Sequence, residues 1–126
     1  MSTLTAPASA REALDMVRAG LIYLAAADPT TLPAETQADC LRELEQDDAI
    51  LTAAQASVLA GFTAAQGYCA DADYSPRTWL MHKTGITRGA AAQHTAWAQR
   101  AADHRLVLAA MAAGEVSESY GKAICT

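Results

Sequence analysis

Long apolar runs are missing from this sequence: nowhere does it hold the roughly 18 consecutive apolar residues that a membrane span needs. No membrane partner is therefore expected. Also missing is a basic stretch leading into an apolar core at the start. Met1 to Ala10 is small and polar, so it is no secretory signal, and residues 1–9 read as a disordered leader. Cysteine is scarce. Cys40, Cys69 and Cys125 are odd in number and form no C-x-x-C pair, which without an export signal reads as reduced thiols of a cytoplasmic protein. Large aliphatic groups are thin as well: Leu, Ile, Val and Phe together number 21, and alanine supplies much of the 52% hydrophobic fraction.

What is present points to helices. Alanine is the best helix former and lets helices approach closely, and the few glycines and prolines stand at apparent boundaries. At 126 residues one domain is expected, all-α, over residues 10–126. The net charge of −5 hides an asymmetry. Residues 1–74 hold three basic and eleven acidic groups, whereas residues 75–126 hold six basic and three acidic ones. A surface for nucleic acid, if the chain has one, belongs in the second part. Acidic and basic faces that pair with each other explain the same asymmetry.

Leu14, Val17, Leu21 and Leu24 at helical spacing mark a first amphipathic helix over residues 10–27, closed by Asp28-Pro29. Pro33 and Glu35 suit the start of a second helix, from about Ala34 to Gln66, with an apolar stripe of Leu41, Leu44, Leu51, Val58 and Phe62. Its length suggests one arm of a long helical hairpin over residues 10–67, and Gly67 reads as its stop. After the loop "GYCADADYSP" come shorter, more basic helices over residues 75–126. Ser75-Pro76 opens one and Gly85 closes it, while Thr87 caps residues 88–103. Gly114 closes "RLVLAAMAA" and Ser117 caps the last helix. The connectors Gly85-Ile86-Thr87 and Gly114-Glu115-Val116-Ser117 share one grammar: stop glycine, apolar residue, hydroxyl cap. The chain ends barely two turns into its last helix, which suggests a fragment of something longer.

The blocks "ALDMVRAGLIYLAAAD", "LPAETQADCLRELE", "AILTAAQASVLAGFTA", "SPRTWLMHKTGITRGAAAQHTAWAQR" and "MAAGEVSESYGKAI" resemble, in order and spacing, the domain of unknown function 222. The likeness runs over nearly the whole chain from about residue 12. It implies the helical N-terminal region of a protein whose downstream segment carries an HNH endonuclease signature. The nuclease chemistry would belong to that segment. This sequence has no asparagine, so it holds no intact HNH motif.

The corner at Thr84-Gly85-Ile86-Thr87 reads in two ways. As a helix-turn-helix, Thr87 and Arg88 would bring the second helix to phosphate, with Gln93 and Arg100 available for groove or backbone contacts. Arg77, Lys83 and Arg105 would extend the basic surface. Met81, however, stands where such a motif wants a small residue. As an ordinary αα-corner, the same residues pack through Leu80, Ile86, Ala91 and Ala98, and the cations are a solvated face. Trp79 and Trp97 fit core anchors better than base-stacking platforms.

His82, His94 and His104 have no metal-ligand spacing, and no nucleophile–base pair stands out. No catalytic residue, metal or cofactor is assigned. The expected function is a non-catalytic accessory domain that contacts DNA through residues 77–105. The alternative is a structural module seating a downstream nuclease segment or a second copy on the long second helix.

Overall fold

The computed structural model of the chain describes residues 5–125, so part of the expected leader, residues 1–4, lies outside it. Within that range every regular element is helical: α1 (Ala10–Ala26), α2 (Ala34–Ala64), α3 (Pro76–Thr84), α4 (Arg88–Asp103), α5 (Arg105–Ala112) and α6 (Glu118–Ile124). Short 3-10 turns at Pro29–Thr31 and Gly67–Asp71 flank α2. The chain divides into two compact units after Ala38.

In the first unit, Ser9 caps α1 by accepting the Glu12 N–H at 3.1 Å, and the Glu12 carboxylate accepts the Ala8 N–H at 3.3 Å. The first bond satisfies a donor that the opening helical turn leaves open, and the second ties the residue before the cap to the same turn. No residue of α1 is buried, and the apolar stripe Leu14, Val17, Leu21 and Leu24 stays exposed. After α1, Asp28 accepts both the Thr30 hydroxyl and its N–H, which hold the carboxyl below its usual pKa. The Gln37 amide donates to the Pro29 carbonyl at 2.7 Å and ties that turn to the start of α2.

The second unit is built on alanine. The buried stripe of α2 is Ala49, Ala53, Ala56 and Leu59, not the predicted large residues. Leu41 is 69% exposed and Val58 72%, and Leu51 is exposed too. The reason lies in what α2 meets. Ala49, Ala53 and Ala56 join Trp97 of α4 and Leu108 and Met111 of α5 in one cluster, so small side chains face large ones. Alanine at positions 49, 53 and 56 makes room for Trp97 and Met111, while Leu59, outside that cluster, is the one large residue of the stripe. Phe62 alone of the predicted set finds an aromatic partner, the Trp79 ring at 4.5 Å.

The helix ends follow the predicted grammar. Ser75, Thr87 and Ser117 each accept the backbone N–H three residues on, at 3.1 to 3.2 Å. Gly85 and Gly114 both take left-handed backbone at φ 74°, which a residue without Cβ adopts at little cost. Gly67 is different. The left-handed residue there is Gln66 (φ 55°), and α2 already ends at Ala64. A Cβ on Gly67 would stand 2.4 Å from the Phe62 ring, so this glycine makes room for Phe62 instead of stopping the helix.

Candidate functional site

The three elements that bear most on function are the second half of α2, the start of α3, and α4. α3 packs on α4 across the Gly85 corner, with Ala91 buried and Leu80, Ile86 and Ala98 half-buried, as an αα-corner requires. The three helices enclose a groove of about 730 Å³. Arg77 and Arg88 line it, and Met81 and Leu59 contribute apolar walls. Met81 thus occupies the position where close helix crossing would want a small side chain. A second groove of about 420 Å³, between α2, α4 and α5, is lined by Arg105 and Leu108. Both grooves include Ala60 and Ala102, so they adjoin along α2. No lining residue of either is acidic.

The seven residues singled out from sequence therefore separate by environment. Arg77 and Arg88 share the larger groove and Arg105 borders the smaller one. None of the three forms an ion pair among the described residues. Lys83 lies off the groove, its ammonium 3.6 Å from Asp71. Next to it His82 Nδ1 and Asp73 Oδ1 are 2.9 Å apart. The Trp79 indole N–H donates to Asp71 and, with help from Lys83, holds that carboxyl below its usual pKa. The Arg100 guanidinium sits 4.6 Å from the centre of the Trp97 ring, a cation–π contact that covers a core side chain. The Thr87 hydroxyl serves its cap, and the Gln93 side chain is exposed.

Sequence reasoning collected cations by nearness along the chain. It missed the wall that α2 supplies, because Leu59 and Thr63 stand more than a dozen residues before Arg77. The signal available was helical phase: Arg77 and Met81 are one turn apart, as are Thr95 and Gln99, whereas Lys83 is not in phase with Arg77.

Elsewhere, no three His, Cys, Asp or Glu side chains gather to hold a metal among the described residues. Cys40, Cys69 and Cys125 are free thiols. No described helix is long and apolar enough to cross a membrane. Comparison with family models, with curated proteins and with solved structures matches the chain to none of them.

Proposed function

We propose that the chain is a non-catalytic helical accessory module, cytoplasmic, that works by packing against another polypeptide, here a second copy of itself. Its resemblance to the domain of unknown function 222 supports the accessory role, with any nuclease chemistry left to a downstream HNH segment. The observation that carries the reading is the outer face of α2. Leu51 and Val58, two turns apart, are exposed there while alanines fill the inner face. Exposed apolar residues grouped on one element mark an interaction surface more often than scattered ones do. The hairpin expected over residues 10–67 belongs to this reading, since paired apolar stripes are what a helical hairpin buries, within one chain or between two. A two-fold pair would cover the same stripe on both copies at once. Light scattering over a range of concentrations tests it. Mass should rise towards a dimer and fall back in Leu51→Ser/Val58→Ser, and a strict monomer at all concentrations would sink the proposal.

A second reading is favoured by one observation: Arg77, Arg88 and Arg105 border adjoining grooves without a carboxylate. On this reading the α3–α4 corner helps position DNA through phosphate contacts. Binding to a duplex at low salt, where the phosphate attraction is strongest, is its test. No binding under those conditions would remove it.

A further inference from the structure

We propose that the groove between α2, α3 and α4 is a binding site for a small amphipathic anion, a carboxylate or phosphate head on a linear apolar body. This goes beyond the accessory-module reading and stands without it. At about 730 Å³ the groove falls within the size range of small-molecule sites. Its two charged residues are both arginines, Arg77 and Arg88, and neither has a counter-ion among the described residues. Guanidinium is suited to oxyanions because its fork of N–H donors matches a carboxylate or phosphate edge. Hydroxyl and amide side chains, Thr63, Ser75, Thr78, Thr95 and Gln99, also line the groove, and the rest of the lining is apolar. Leu59 and Met81 form apolar walls, and Ala98 and Ala102 are small enough to let a narrow chain sit between the helices.

That division decides the ligand class. An inorganic anion would use the arginines and leave the apolar walls wet. A duplex would meet the arginine tips with its phosphates and put nothing apolar between α2 and α4. A linear acid uses both parts. Thr95 already donates its hydroxyl proton to the Ala92 carbonyl, so its oxygen faces a ligand only as an acceptor. The Gln99 amide donates to Asp103 at 3.5 Å, which leaves its carbonyl oxygen to accept from a head group that retains a proton or carries an adjacent hydroxyl.

The test is a titration of the full chain, labelled with nitrogen-15, with octanoate, octanol, inorganic phosphate and a short DNA duplex in parallel. Octanoate should give saturable shifts confined to residues 59–64, 75–81 and 95–102. Octanol and phosphate should each bind about tenfold more weakly or less, because each supplies half of the recognition. Arg77→Gln/Arg88→Gln should weaken octanoate by about tenfold or more. Ala102→Phe, which fills the groove and leaves the charge alone, should do the same with helicity unchanged by circular dichroism. Octanoate shifts spread over α1, or insensitive to both variants, would mean general apolar adhesion and overturn the site. Equal binding of octanol would overturn the anion. Groove shifts produced by the duplex and not by octanoate would assign the arginines to nucleic acid instead.

Discussion

The indole N–H of Trp79 donates a 2.8 Å hydrogen bond to Asp71, and the same ring lies 4.5 Å from that of Phe62. One side chain thus fastens the 3-10 turn after α2 to α3 by its polar edge and meets α2 itself by its face. Lys83, one turn further along α3, comes to 3.6 Å of the same carboxylate. The loop that looks like a boundary in the sequence is a strap, and its acids neutralise one of the cations assigned to a basic face.

A pH dependence follows with a definite sign. The Asp71 carboxyl is held below its usual pKa chiefly by the Trp79 N–H, with Lys83 adding to the effect. Its contribution to stability is therefore complete above the ordinary aspartate range and is lost as pH falls through the lowered value. Between about pH 5 and pH 8 the melting-temperature gap between wild type and Asp71→Asn should stay constant, closing only in stronger acid. A gap that widens on acidification would contradict the assigned sign.

The alanine stripe makes a second prediction. Ala49 and Ala56 are enclosed by the cluster that holds Trp97 and Met111. Ala49→Leu should cost about 1–3 kcal/mol in urea unfolding through overpacking. Leu51→Ser and Val58→Ser, measured under conditions where the chain is monomeric, should stay within about 0.5 kcal/mol of wild type. The reverse ranking would restore the leucine stripe as the core.

These two cases also show how far the sequence could be read. Caps and stops were legible because Ser75, Gly85, Thr87, Gly114 and Ser117 act within three or four residues of themselves. The core face of α2 was not, because hydrophobic periodicity weights leucine above alanine. The partner that decides the matter, Trp97, is some forty residues away. The groove was half legible. Arg77 and Arg88 were named from their charge, but the α2 wall could be found only once the helices were packed. The α4–α5 break at His104, with φ −131° and ψ 59°, falls where the sequence divides residues 88–103 from "RLVLAAMAA", although no glycine or proline marks it.

Two glycines should respond in opposite directions. Gly85 has φ 74°, so Gly85→Ala forces an L-residue into the left-handed region and should cost about 1 kcal/mol. Gly61 lies inside α2, where an added Cβ would find nothing within 4 Å. Gly61→Ala should stabilise by roughly 0.5–1 kcal/mol, as alanine does in helix interiors. Thermal melts of the two single variants check both signs.

The arginines of α4 should separate by what they touch. Arg100 lies over Trp97, whose ring is 4% exposed and whose indole N–H donates to Glu118 at 3.2 Å. Arg100→Ala removes a cation–π contact and the aliphatic stem that shields the ring, so it should cost about 0.5–1 kcal/mol at any ionic strength. Arg88 is exposed and without an ion-pair partner, so Arg88→Ala should leave stability within about 0.5 kcal/mol. The converse holds for ligands: octanoate or duplex affinity should drop in Arg88→Ala and stay unchanged in Arg100→Ala. Unfolding curves and binding isotherms on the same two proteins give the full cross, and equal effects of both variants in either assay would break the division between a structural and a ligand-facing arginine.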